Sequence, residues 1–192
     1  MTTATDKAQA PTWNIANQLT ITRLALSIVV FALLSFERFV PAMWVFLVAV
    51  STDWLDGYFA RKYGLVTVLG RILDPFVDKI IICGAFVYLA AFPGSGVRPW
   101  MAVVVIGREL LVTAIRGFLE QQGKDFSANM LGKWKMVFQC AAVALSLARL
   151  GGVQANAEWM SWALPISVWG TLVITVWSGL VYVRRATTLM SH

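Results

Sequence analysis

The chain has 192 residues, of which 58% are hydrophobic and 14% charged, with a formal net charge of +6. A soluble domain is roughly half apolar and about a quarter charged, so an excess gathered into long apolar runs points to a bilayer. The single histidine, His192, excludes histidine-based zinc sites and Ser-His-Asp chemistry. The basic residues cluster at the ends of apolar runs, which favours membrane orientation over nucleic-acid binding.

Residues 1–13 are polar, and the first apolar run has no small-residue cleavage site, so no cleavable signal is expected. An N-terminal segment over 1–16 is expected to lie at the membrane interface, with a short helix over 8–17 containing Trp13 and Ile15. Six apolar spans follow, at 17–36, 41–61, 71–92, 98–121, 131–150 and 160–183. Their breaks carry turn and charge signals: Glu37, Arg38 and Pro41; Lys62, Tyr63 and Gly64; Pro93 to Gly96 with Pro99; Gly123 to Asp125; and Gly151, Gly152, Asn156 and Glu158. The sequence therefore predicts an all-α integral membrane protein, a six-helix bundle forming one domain over 1–192. Cys83 and Cys140 fall inside apolar runs and read as small packed hydrophobes.

Lys7, Arg23, Arg61, Lys62, Arg71, Lys79, Arg108, Arg116, Lys124, Lys133, Lys135, Arg184 and Arg185 fall on one side of such a bundle. Only Arg38, Arg98 and Arg149 fall on the other. The first side, with both termini, is expected to face the cytoplasm. Trp44, Trp100, Trp159 and Trp162 lie near the opposite boundary, as an aromatic belt does.

Four carboxylates stand out. Asp53, Asp56, Asp74 and Asp78 flank one short loop at membrane depth, where each charge costs roughly 2.5–3.5 kcal/mol. Asp53 and Asp56 are three residues apart and Asp74 and Asp78 four, so each pair shares a helix face. Folding the chain at residues 62–69 brings Asp56 level with Asp74, and Asp53 level with Asp78 about one turn deeper. Carboxylates about 4 Å apart repel by roughly 4 kcal/mol at an effective dielectric near 20, so protons or cations must neutralise them. Oxygen-only ligation suits Mg²⁺, Mn²⁺ or Ca²⁺ rather than zinc, and two layers are compatible with two ions acting on a phosphate ester. Gly57, Ala60 and Gly64 form a small-residue strip that serves close helix packing, nucleotide binding or both. Arg61, about a turn from Asp56, is suited to gripping a phosphate.

The segment DWLDGYFARKYGLVTVLGRILDPFVD, from Asp53 to Asp78, resembles the CDP-alcohol phosphotransferase signature D-x2-D-G-x2-A-R-x8-G-x3-D-x3-D at every fixed position. The resemblance extends to the six-span layout. It implies that Asp53, Asp56, Asp74 and Asp78 hold divalent metal, two ions of Mg²⁺ or Mn²⁺, and that Asp78 is the catalytic base. It also implies a CDP site built from Asp56, Gly57, Ala60, Arg61 and Gly70, and a homodimer. The expected location is a bacterial inner membrane, with the active site facing the cytoplasm.

The signature does not name the acceptor alcohol. Arg108 and Arg116 are eight residues apart on span four, and Lys133 and Lys135 open span five from the same side. Together they suit an acceptor carrying its own phosphate. Asn17, Thr20 and Arg23, spaced by three, form a further polar site at the start of span one. NQLTITR, GRELLVTAIR and GKWKMVFQ resemble the branch that joins CDP-diacylglycerol to sn-glycerol 3-phosphate, releasing CMP. The alternatives are a cardiolipin synthase of the same type, a phosphatidylinositol phosphate synthase or, in another class, a divalent cation transporter. The expected partners are thus the two substrates and membrane lipids.

Overall fold

The computed structural model describes residues 15–63, 68–121, 130–153 and 157–190. They form six α-helices and no strand: α1 Ile15–Ser35, α2 Phe39–Tyr63, α3 Val68–Ala91, α4 Pro99–Gln121, α5 Met130–Leu150 and α6 Glu158–Met190. Side chains are described outside 53–75 and a few terminal positions of the helices. The expected interfacial helix lies almost wholly outside the described residues.

The helix ends follow local chemistry. α1 closes at Glu37, in the left-handed region at φ 53°, with the Arg38 N–H donating to the Leu33 carbonyl at 2.8 Å. α5 closes in the same way at Gly152, φ 74°, with the Val153 N–H on the Ala148 carbonyl at 2.9 Å. Most helix ends fall within two residues of the sequence expectation, and the larger departures are at α3, which starts at Val68 rather than 71, and α6, which runs to Met190 rather than 183; α2 continues through Lys62 and Tyr63. No glycine or proline interrupts the end of α6, and Tyr182 and Ala186 gain burial there against Val112 and Leu119 of α4.

Helix packing arranges the six elements as two rings that share a wall. α1, α2, α5 and α3 pack in that cyclic order, and so do α3, α4, α6 and α5. The diagonal pairs α2 with α3, α4 with α5, and α3 with α6 do not pack on each other among the described residues. Both rings therefore use α3 and α5, and each ring has an interior that side chains must fill. Phe46, Phe86, Leu34, Leu89, Leu147 and Leu164 fill much of it and belong to one buried cluster. Aromatic rings of neighbouring helices press closely on Gly84 and Gly170. A Cβ on Gly84 of α3 would lie 2.3 Å from the Phe31 ring of α1, and one on Gly170 of α6 would lie 2.5 Å from the Phe138 ring of α5.

The outside is apolar as well. On α6, Leu164, Val168 and Leu172 are buried, whereas Trp162, Ile166, Trp169, Val173, Val176 and Leu180 form an exposed stripe at spacings of four and three. A helix apolar on all sides belongs in the core of a large protein or in a membrane. By length and apolarity, one described helix, over Glu158–Thr188, suffices to cross a bilayer, with mean hydropathy 1.7. Thr20–Ser35 and Phe39–Thr52 are shorter apolar stretches.

Gly84→Val forces a branched side chain into the Phe31 ring. It is expected to destabilise the protein by about 1–3 kcal/mol, read as a lower midpoint of thermal unfolding in detergent. Gly107→Val, where a Cβ meets nothing within 4 Å, serves as the control.

Candidate active site

Each ring holds a polar group in its interior. In the ring of α1, α2, α5 and α3, a small cavity is lined by Arg23 and Ser27, Ala49, Met136 and Asp78. Arg23, almost fully buried on α1, makes an ion pair with Oδ1 of Asp78 on α3. Ser27, one turn along α1, closes its hydroxyl onto the Arg23 carbonyl at 2.8 Å. Thr20 is buried beside this group on the same helix, while the Asn17 side chain lies outside the described residues. The expected polar site at the start of span one is therefore, at Arg23, a contact with the aspartate signature.

In the ring of α3, α4, α6 and α5 the centre is Glu109 of α4, which is buried. Lys135 of α5 donates to Glu109 Oε1 at 2.5 Å. The Arg108 guanidinium reaches the same oxygen through Nη1 at 3.2 Å. α4 and α5 do not pack directly, so these long side chains span the diagonal of the ring. α6 supplies the remaining partners. Arg108 Nε donates to Ser178 Oγ at 3.2 Å, its guanidinium carbon lies 5.5 Å from the centre of the Tyr182 ring, and Arg116 Nη2 donates to Tyr182 Oη at 3.5 Å. Gly179 leaves room for this approach, since a Cβ there would sit 3.3 Å from the Arg108 side chain. Lys79 of α3 lies within electrostatic reach of Glu109, Arg116 and Arg108.

The two interiors are neighbours through their shared wall. Asp78 and Lys79 are consecutive on α3, as are Lys135 and Met136 on α5. Consecutive helical positions point about 100° apart, so each shared helix turns one residue to each ring. Asp78 and Met136 enter the first, and Lys79 and Lys135 reach the second.

Of the residues singled out for an acceptor, the structure gathers Arg108, Arg116 and Lys135 around Glu109 and Tyr182. Lys133 is exposed, because two positions along a helix lie on nearly opposite faces. Asp53, Asp56, Gly57, Ala60 and Arg61 lie within α2, and Gly70 and Asp74 within α3, but their side chains lie outside the described residues. The layered pairing of the four aspartates lies there too. Glu109 as the hub, and Ser178 and Tyr182 as partners, did not emerge from the sequence. Glu109 shows only as a charge in the apolar run of α4, and Ser178 and Tyr182 only as polarity on an otherwise apolar α6, which also fits ordinary helix packing.

The family model described as CDP-alcohol phosphatidyltransferase matches residues 13–183, which include both rings. The chain belongs to that family. It is 35% identical over 178 residues to the CDP-diacylglycerol–glycerol-3-phosphate 3-phosphatidyltransferase of Bacillus subtilis, covering 84% of this chain and 91% of that one. The protein of the same name from Pseudomonas fluorescens is 32% identical over 179 residues, covering 90% of each chain. A cardiolipin synthase (CMP-forming) from Oryza sativa is 34% identical over 154 residues, covering 73% of this chain and 46% of the rice protein. The family generally depends on divalent metal.

The pair formed by Lys135 and Glu109 is testable on its own. In a double-mutant cycle of Lys135→Met and Glu109→Gln, followed by thermal unfolding, the two effects are expected to be non-additive by about 0.5–3 kcal/mol. Simple additivity contradicts the contact.

Proposed function

We propose that the protein transfers the phosphatidyl group of CDP-diacylglycerol to sn-glycerol 3-phosphate, giving phosphatidylglycerol phosphate and CMP. The reaction class follows from the family, and the names of the Bacillus and Pseudomonas relatives support this acceptor. The observation in the molecule that favours it is the unbalanced charge of the second ring. Arg108, Lys135 and Lys79 act on one carboxylate, Glu109, and Arg116 stands beside them at Tyr182, among the described residues. Nε of Arg116 is buried with no hydrogen-bond partner there. An excess of partly buried cations favours an anionic ligand. A phosphate monoester brings about −1.5 to −2 charges and three acceptor oxygens. Phosphatidylglycerol offers a phosphodiester with less charge, so the cardiolipin-forming alternative leaves more of the cluster uncompensated.

In this reading the first ring carries the chemistry and the second holds the acceptor. Asp53, Asp56, Asp74 and Asp78 hold Mg²⁺ or Mn²⁺, two ions in all. Their donor set fits, since it offers only carboxylate oxygens and the only described member, Asp78, keeps about a third of its side chain accessible. The metal supplies charge stabilisation at the pyrophosphate when bound. Gly57, Ala60, Arg61 and Gly70 line the CDP moiety. Arg23 engages Oδ1 of Asp78, fixing the carboxylate so that Oδ2 is left to take the proton of the acceptor hydroxyl. The hydroxyl oxygen forms a bond to the phosphorus that bears diacylglycerol, the bond from that phosphorus to CMP breaks, and CMP departs. Arg108, Arg116 and Lys135 anchor the acceptor's phosphate across the shared wall, with Lys133 guiding it from the exposed side.

The apolar exterior and the belt of exposed Trp44, Trp100, Trp159 and Trp162 support a multi-pass bundle of six spans in the bacterial inner membrane. The side rich in Lys and Arg, with both termini and the active site, faces the cytoplasm. The whole chain, 1–192, forms one domain.

Purified protein given CDP-diacylglycerol is expected to release CMP with glycerol 3-phosphate and Mg²⁺ or Mn²⁺, and to stop on exhaustive chelation. Release with phosphatidylglycerol but not with glycerol 3-phosphate overturns the acceptor. Full turnover after chelation overturns the metal. Asp78→Asn is expected to lower kcat by at least about 100-fold, and near-normal turnover contradicts its role as base.

A further inference from the structure

Two polar side chains lie one helical turn from the cation cluster and take no part in it. Gln139 follows Lys135 by four positions on α5, and Thr175 precedes Ser178 by three on α6, so each shares the face of a cluster residue. Both are buried, at 2% and 0% exposure. Gln139 Nε2 and Thr175 Oγ1 each lack a hydrogen-bond partner among the described residues. On α4, Val105 precedes Arg108 by three and is also fully buried, so that side of the same layer is hydrocarbon.

Thr175 departs from its own helix. Ser167, Thr171 and Ser178 turn their hydroxyls back onto the carbonyls of Leu164, Ser167 and Thr175, at 2.8, 2.8 and 3.0 Å. Thr175 makes no such bond, so its hydroxyl is unspent within the bundle. Buried polar groups are rarely left unmade, and an exception calls for a ligand or water. Ser146 Oγ also lacks a partner, but it lies eleven residues beyond Lys135, about 16 Å along the helix.

We propose that Gln139 and Thr175 form a hydroxyl-binding subsite that reads the non-reacting hydroxyl of the acceptor. This rests on the reading of the acceptor as a glycerol phosphate. With the phosphate on Arg108, Arg116 and Lys135, and the terminal hydroxyl committed to the aspartates, the middle hydroxyl is the group left to be recognised. A single hydroxyl oxygen can accept from the Gln139 amide and donate to Thr175, satisfying both at once. The distance from the cation layer to this layer is about 5.4 Å, one helical turn, which a three-carbon phosphate ester spans. The subsite thus acts on specificity, separating glycerol phosphate from phosphate esters without that hydroxyl.

The test compares glycerol 3-phosphate with 3-hydroxypropyl phosphate, which keeps the phosphate and terminal hydroxyl and lacks the middle one. The intact protein is expected to prefer glycerol 3-phosphate by at least about tenfold in kcat/KM. Thr175→Val and Gln139→Met are each expected to bring the ratio towards one, chiefly by slowing glycerol 3-phosphate, and Thr175→Ser to restore it. A ratio near one in the intact protein overturns the subsite. So does an unchanged ratio in both variants, which assigns the two groups to a bound water. If neither variant folds, the ratio for the intact protein decides. An intact protein that uses neither phosphate ester but takes phosphatidylglycerol refutes the acceptor reading, a failure distinct from the other two.

Discussion

Glu109 meets Lys135 and Arg108 at a point where the backbones of α4 and α5 stay apart and only long side chains bridge them. A buried carboxylate here is surrounded by cations from α3, α4 and α5, and α6 closes round them through Ser178, Gly179 and Tyr182. The ring of α3, α4, α6 and α5 has an interior because its diagonals stay apart, and long charged side chains fill that interior. In the proposed reading, the same charge serves to bind an anion. The cost of holding unlike numbers of charges out of water is large, which makes a role in binding a better account than one in stability alone.

The second consequence is the shared wall. α3 and α5 belong to both rings, and consecutive residues on each serve different interiors. Asp78 and Lys79 divide one helix between a carboxylate site and a cation site, and Met136 and Lys135 divide the other. In the proposed reading, the CDP donor and the phosphate monoester are held on either side of this shared wall. The Arg23–Asp78 pair ties α1 to this arrangement, and the close contact of Phe31 on Gly84 brings the same two helices together further along.

Much of this was legible in the sequence, and the rest failed for identifiable reasons. The helices followed from apolar runs broken by Pro93, Gly94, Gly151 and Gly152, because those residues act locally. The end of α6 did not, because Tyr182 and Ala186 are stabilised by burial against α4, a contact across some 70 residues that no local signal announces. Arg108 and Arg116 were expected on one face, and both reach Tyr182. Lys133 and Lys135 were grouped by proximity in sequence, whereas helical geometry turns the first outward. Glu109 was visible as a charge in an apolar span, but its partner on α5 lies 26 residues away. Ser178, Thr175 and Gln139 were indistinguishable from packing residues until their partners, or lack of them, were known.

In the proposed reading, the cation ring binds the acceptor phosphate independently of the aspartate site. Isothermal calorimetry of glycerol 3-phosphate binding to the chelator-treated protein tests it most directly. Binding is expected to persist without divalent metal, to survive Asp78→Asn, and to weaken at least about tenfold in Lys135→Met. Binding that requires metal and is indifferent to Lys135→Met would contradict it.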